Sequence, residues 1–175
     1  MIQLRDTIEI YCTPSQLFTW LSRIPDEYTS WHPDHVACRV LHGSLLEVGS
    51  ELECEEFLHG KLHSMRFRMT RVIPDKRVEF EIAGMGRGAF EAEGSGDIVR
   101  FVAELEIGSN MLIIGRLFDF IFSLFFRQRI EAMKQHMAEE GRNLKAILEP
   151  GSPISVGQDG AAEAGVTPKP AAQCD

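Results

Sequence analysis

The chain has 175 residues, of which 44% are hydrophobic and 25% are charged, as is usual for a globular protein. This length gives room for one domain with its own core and argues against a second full domain. The formal net charge is -8, and an acidic chain lacks the general attraction to phosphate on which nucleic-acid binding depends. We therefore expect no nucleic-acid partner.

The sequence carries no sign of export or of membrane insertion. No long apolar run follows a basic start at the N-terminus, as it would in a secretory signal. The most apolar stretch, residues 111–126, contains Arg116 and Asp119, and its uncharged runs are too short to cross a bilayer. The cysteines form no C-x-x-C pair, and they are Cys12, Cys38, Cys54 and Cys174. We expect a cytoplasmic protein with reduced thiols and no transmembrane segment.

The first third of the chain begins with one predicted strand and two short helices. Residues 2–12 alternate apolar and polar side chains, which is the period of a half-buried strand. Thr13 can cap a following helix, with Pro14 in its first turn and Gln16 completing a capping box. A second short helix must end just before Pro33, because proline disfavours helical geometry in the residue that precedes it.

Residues 35–108 contain short apolar runs separated by Gly, Pro and Asp, a pattern typical of an antiparallel meander. Such a sheet has one face in water and one face covered by the rest of the protein. The predicted strands are 35–42, 50–58, 62–73, 76–83, 88–94 and 97–108.

A long helix is predicted over residues 111–148. An apolar stripe at steps of three and four runs along its second half and must lie on something apolar, for which the sheet is the obvious partner. The stripe consists of Ile130, Met133, Met137, Leu144 and Ile147. Residues 149–175 are rich in Pro, Gly, Ala and Ser without an apolar period, so we expect a disordered tail.

This order of elements resembles the helix-grip superfamily, which includes START domains, the major birch-pollen allergen and polyketide cyclases. The resemblance covers residues 1–148 and implies an α+β fold, in which a curved antiparallel sheet of about seven strands wraps around the final helix. It also implies a cavity between sheet and helix that suits an aromatic or lipid-like small molecule.

One polar residue breaks the apolar face of the strand 50–58. Leu52, Cys54 and Leu58 fall on the covered side, and Glu56 falls there with them. A buried carboxylate is costly, so Glu56 should be protonated, hydrogen-bonded or bound to a cation. The alternative is that Glu56 lies at the cavity rim, or after a bulge that turns it away.

A second interruption lies on the long helix. Glu140 continues the apolar stripe after Met137, and His136 lies one turn before it on the same face. An imidazole and a carboxylate at this spacing form a pair that can bind a metal from one helix. The alternative is an exposed surface pair of little energetic consequence.

The histidines are concentrated in one region, with five of the six between residues 32 and 63. His32 and His35 lie at the hinge between the second short helix and the second strand. His63 shares a strand face with Met65, so we expect it to face the cavity. The remaining two are beside glycine turns and are expected to be exposed: His42 and His59.

Together these residues resemble the metal-ligand pattern of the diacetylphloroglucinol hydrolase and phloretin hydrolase family. In that family the metal is held by a histidine after the short helices, a strand glutamate and a His-x-x-x-Glu pair on the final helix. The resemblance implies zinc, with iron or manganese as alternatives. The hinge ligand would be His32, with His35 as its alternate. The implied ligands are His32, Glu56, His136 and Glu140.

The resemblance implies a hydrolase that cleaves the carbon–carbon bond between an acyl group and an electron-rich aromatic ring. His35 and His63 are the candidate proton donors, and a related reaction such as cyclisation is an alternative. This chain is much shorter than members of that family and lacks their N-terminal region, which leaves the substrate open. The candidate aromatic wall of the cavity is Trp31, Phe57 and Phe67.

The competing hypothesis is a non-enzymatic carrier for a lipid, a quinone or an aromatic metabolite. It requires no metal, and an adaptable methionine lining would suit it. The methionines concerned are Met65, Met69, Met85, Met133 and Met137. The directions in which Glu56 and Glu140 point distinguish the two hypotheses.

The apolar stretch 111–126 has more large side chains than one sheet face can cover. We expect the excess to form a homodimer interface, with docking on a membrane surface as the alternative, although the net charge opposes anionic lipid.

Overall fold

One antiparallel sheet, two short helices and a long final helix make up the part of the chain that the computed structural model describes, residues 2–58, 60–108 and 127–149. The elements are β1 (Ile2–Ile10), α1 (Pro14–Leu21), α2 (Ile24–Trp31), β2 (His35–His42), β3 (Glu51–Leu58), β4 (Lys61–Ile73), β5 (Arg77–Ile82), β6 (Gly86–Glu93), β7 (Val99–Ile107) and α3 (Arg127–Leu148). The strand order is β1-β7-β6-β5-β4-β3-β2, which places β1 and β2 at the two edges. This is the predicted helix-grip architecture.

The local signals in the sequence act as expected. Thr13 and Gln16 form both hydrogen bonds of a capping box at the start of α1. His32 leaves α2 with extended backbone angles directly before Pro33. The seven observed strands differ from the predicted bounds by no more than two residues at either end.

Helix α3 packs against β1, and its buried face differs slightly from the predicted stripe. Met137 and Leu144 are buried as expected, but Ile147 is exposed and Leu148 packs against the core instead. The buried face advances through Met137, Gly141, Leu144 and Leu148, so its last step is four residues and leaves Ile147 outside.

Gly141 lets α3 approach β1 closely. A Cβ atom at this position would lie 3.1 Å from Oδ2 of Asp6 and 3.5 Å from the side chain of Ile8. The carboxylate of Asp6, which interrupts the apolar face of β1, therefore faces the helix beside Glu140.

Several predictions fall on residues outside the described part of the chain. These are the start of the long helix at 111, the homodimer interface over 111–126 and the disordered tail from 150 onwards. Glu149 is described, and it accepts a hydrogen bond from the backbone N–H of Tyr11.

None of the described helices combines the length and apolar character that crossing a membrane requires.

A cavity of about 130 Å³ lies between the sheet and α3. Its lining is almost entirely apolar and includes all five methionines that the sequence indicated. Trp31 and Phe67 line it as predicted. The prediction for Phe57 is wrong, because this residue alternates with Glu56 along β3 and is 43% exposed on the opposite face of the sheet.

Gly88 on β6 makes room for one aromatic residue of the cavity wall. It is the direct neighbour of Phe80 on β5, and a Cβ atom there would lie 2.5 Å from Cε2 of Phe80 and 2.8 Å from the carbonyl oxygen of Glu104. The missing side chain thus lets the Phe80 ring lie flat against the sheet.

We predict that Gly88→Ala destabilises the protein by about 1–3 kcal/mol, the usual cost of overpacking a core. Urea unfolding measures this difference. Phe80→Leu, which shortens the opposing side chain, should recover part of the loss when combined with Gly88→Ala. Strictly additive effects in the double variant would contradict the proposed contact.

Candidate metal centre

The hinge between α2 and β2 brings two histidines to the same place. The backbone N–H of His35 donates to the carbonyl of His32 at 3.1 Å, which closes a tight turn around Pro33 and Asp34. Phe57 N–H donates to the carbonyl of Asp34 at 2.9 Å and fixes this turn on β3. Both hinge histidines are buried, with their ring centroids 5.3 Å apart.

His136 on α3 completes a group of three imidazoles. Its ring centroid lies 4.2 Å from that of His32 and 5.5 Å from that of His35. One nitrogen from each ring lies within 4.8 Å of the others, so the three residues could hold a metal ion. The sequence offered His32 and His35 as alternatives, whereas the structure brings both to His136.

The position of the proton on His35 follows from its hydrogen bonds. Nδ1 lies 2.9 Å from the backbone oxygen of Tyr28, and a carbonyl can only accept, so Nδ1 carries the proton. The rings of Tyr28 and His35 are also stacked, with their centroids 3.9 Å apart and their planes 4° from parallel. In the neutral imidazole, Nε2 therefore presents a lone pair.

That lone pair faces two carboxylates. Nε2 of His35 lies 3.1 Å from Oε1 of Glu140 and 3.5 Å from Oε2 of Glu56, and it has no hydrogen-bond partner among the described residues. Three electron-rich atoms at these distances repel one another unless a proton or a cation lies among them.

The helix pair is also aimed inward. Nε2 of His136 is buried without a hydrogen-bond partner in the described part of the chain and lies 3.7 Å from Oε1 of Glu140. Both residues line the polar end of the cavity. The prediction that His136 and Glu140 share an inward face of the final helix is confirmed.

Glu56 faces inward from β3 as predicted, and it is 8% exposed. The hydroxyl of Tyr28 donates to its Oε2 at 2.7 Å. Tyr28 thus orients both sides of the centre, Glu56 through its hydroxyl and His35 through its carbonyl. Glu56 and Glu140 converge on the same nitrogen, the arrangement that favours a metal over an unassisted carrier.

His32 differs from the other two histidines, because both of its ring nitrogens already have partners. The backbone N–H of Asp34 donates to its Nδ1 at 3.1 Å, so the ring proton is on Nε2. That nitrogen lies 3.2 Å from Oε2 of Glu139. His32 would have to exchange one of these hydrogen bonds for a metal bond.

Burial governs the charges of the inner groups. It raises the pKa of Glu140 to about 7, and nearby Glu56 acts in the same direction while His136 opposes it. Burial lowers the pKa of His35 and that of His136 below the ordinary value for histidine. Both imidazoles are therefore held in the neutral form that binds metals.

The expectation that His63 faces the cavity is wrong. His63 lies opposite Glu56 in the register of β3 and β4, but it is exposed and is not part of the cavity lining. The reason is its place at the start of β4, where residues 61–64 extend past the covered part of the sheet. His63 therefore lies outside the centre.

The sequence analysis missed Tyr28, Glu139 and Asn143. Tyr28 lies between Ile24 and Trp31 at helical spacing, and all three are buried, so the periodicity of α2 could have placed it inward. Glu139 and Asn143 had no such signal, because their roles depend on how α3 meets the hinge.

No family model matches this sequence, and no curated protein is similar enough to be counted as a relative. Solved structures do match. TTHA0849 from Thermus thermophilus has 13% sequence identity and a TM-score of 0.65, with 84% of this chain and 97% of that chain covered. The Zhui aromatase/cyclase from a Streptomyces species has 10% identity and a TM-score of 0.59, with 86% and 98% covered.

A START superfamily protein from Mycobacterium smegmatis has 12% identity and a TM-score of 0.51, with 77% of this chain and 95% of that chain covered. At such identities the similarity establishes the fold alone. The resemblance to the diacetylphloroglucinol and phloretin hydrolases gains no support from these three structures. The chain has the helix-grip fold of START and polyketide cyclase-like proteins.

Proposed function

We propose that this protein binds a small apolar or aromatic molecule in its cavity, beside a divalent metal ion at the polar end. Zinc is the first candidate, with iron and manganese as alternatives. The observation that carries the proposal is the pair of buried imidazole nitrogens, Nε2 of His35 and Nε2 of His136, that lie near Glu140 without a hydrogen-bond partner among the described residues.

The cavity supports an apolar ligand. Methionine, aromatic and aliphatic side chains form most of its wall. Four of the polar lining residues, Tyr28, Glu56, His136 and Glu140, form the end near α2 and α3, and Glu104 of β7 is the further charged residue. A ligand with an aromatic body and one polar group would fit this distribution, with the body among the methionines and the polar group near His136. Two of the matched structures carry the names of an aromatase/cyclase and a START superfamily protein.

The donor set supports a metal. Three imidazoles with one or two carboxylates are ligands that zinc accepts, and iron and manganese accept them too. We assign His35, His136 and Glu140 to the inner set, because their atoms face one another without other partners among the described residues. Glu56 and His32 are the further ligands: Glu56 has acceptor sites besides the one that Tyr28 occupies, whereas His32 would first give up a hydrogen bond.

A catalytic form of this proposal is the metal-dependent cleavage of an acyl group from an aromatic ring. A bound metal would polarise the ketone or lower the pKa of a water molecule. Burial and the Glu56 carboxylate raise the pKa of Tyr28 far above its ordinary value, so its hydroxyl would position Glu56 at the cavity rather than donate the proton to the departing ring carbon. His35 is a poor donor, because its only proton is held by the Tyr28 carbonyl.

The simpler carrier remains the second candidate function. The observation in its favour is that the cavity lining is apolar apart from the residues of the polar end and Glu104.

We predict that the purified protein binds zinc and that His35→Ala, His136→Ala and Glu140→Gln each weaken binding by more than about 100-fold. Loss of a residue that hydrogen-bonds to a metal ligand lowers metal affinity roughly 10- to 100-fold. We expect this smaller effect for Glu139→Gln, because Glu139 contacts His32. Metal content by mass spectrometry and calorimetric titration with zinc measure these differences.

His63→Ala is the matched control, since this exposed histidine lies outside the centre and should leave zinc binding unchanged. Absence of stoichiometric zinc binding in the unmodified protein would overturn the metal centre. Equal losses in Glu139→Gln and Glu140→Gln would overturn the division into inner and outer groups.

Binding in the cavity can be tested separately. We predict that 1-anilinonaphthalene binds with increased fluorescence and that Met133→Trp abolishes this signal, because the larger side chain would fill the cavity. Lys134→Trp is the control, since its neighbouring position on α3 is exposed. Binding that survives in Met133→Trp, with the control behaving normally, would contradict a ligand site beneath the helix.

A further inference from the structure

Two cysteines lie directly opposite each other on neighbouring strands. Cys38 of β2 pairs with Cys54 of β3 in the antiparallel register, and their Sγ atoms are 3.3 Å apart. Opposed residues in such a ladder have Cα atoms about 4.5–5.5 Å apart, within the range that a disulfide bridges. No large backbone movement is needed to join them.

The two thiols differ in their access to solvent. Cys38 is partly exposed on the edge strand β2, whereas Cys54 is buried and lines the cavity. Cys54 donates its S–H to the sulfur of Cys38, and this hydrogen bond lowers the pKa of the Cys38 thiol. An external reagent can therefore reach Cys38 first, with Cys54 as the second thiol behind it.

We propose that Cys38 and Cys54 form a redox-active pair that closes into a disulfide on reaction with a low-molecular-weight disulfide such as oxidised glutathione. The site does not depend on the metal or on the cavity ligand. It does lie beside them, because Cys54 is two residues from Glu56 on the same strand face and lines the cavity.

The exchange proceeds in two balanced steps. The Cys38 thiolate attacks one sulfur of the external disulfide, which forms a mixed disulfide and releases one thiol. Cys54 then loses its proton and attacks the Cys38 sulfur, which forms the protein disulfide and releases the second thiol. Two protein thiols are oxidised, and one external disulfide is reduced to two thiols.

The test uses the full chain, folded, treated with oxidised glutathione and then alkylated and digested with trypsin without reduction. Cleavage after Arg23, Arg39 and Lys61 separates the two cysteines into peptides 24–39 and 40–61. We expect these peptides to be recovered as one linked species that separates on reduction. Oxidation should also raise the urea midpoint of the unmodified protein.

Single substitutions distinguish the two thiols. Cys54→Ser should stop at a glutathione adduct on Cys38, whereas Cys38→Ser should leave Cys54 unmodified because it is buried. Buried Cys12 is an internal control that reports unfolding if it reacts. Recovery of only a glutathione adduct on Cys38, or of no modification, in the unmodified protein would overturn the proposal, whatever the variants do.

Discussion

The geometry of the centre depends on one side chain that joins the hinge to the final helix. The indole N–H of Trp31 donates to the carbonyl of Glu140 at 3.0 Å, and the amide of Asn143 donates to the carbonyl of Trp31 at 2.9 Å. These reciprocal bonds hold the end of α2 against α3. Because His32 follows Trp31 directly and Glu140 carries the central carboxylate, the same contact fixes groups that are more than 100 residues apart in sequence.

This arrangement has an energetic cost that the apolar core must offset. The buried carboxylate of Glu140 and the imidazole nitrogens of His35 and His136 near it lose hydration without gaining hydrogen bonds to one another. Around them, Trp20, Trp31 and Phe90 pack edge to face in the core, and the stacked Tyr28 covers His35. The protein therefore maintains a strained polar cluster inside a well-packed apolar shell, which is characteristic of functional sites rather than of structural cores.

The sequence predicted the order of the elements because helix caps, prolines and alternating strands are local signals, as at Thr13 and Pro33. It also predicted the inward positions of Glu56 and Glu140, since a polar residue on an apolar face stands out by its period. It failed for His63, because periodicity shows which face a residue is on but not where the cover over that face ends. The sequence could not decide whether His32 or His35 is the hinge ligand, because the turn that brings both beside His136 is visible only in the structure.

The close contact at Gly141 has a consequence for how the centre tolerates sequence change. Successive residues of a helix point about 100° apart, so the rotation of α3 decides whether Glu139 or Glu140 faces the hinge. That rotation is limited where the bare backbone of Gly141 meets Asp6 and Ile8. A larger side chain there would have to displace Asp6 and Ile8 or shift the helix, and a shift of the helix would carry His136 and Glu140 with it. A position with no functional group of its own thus sets the alignment of the groups that have one.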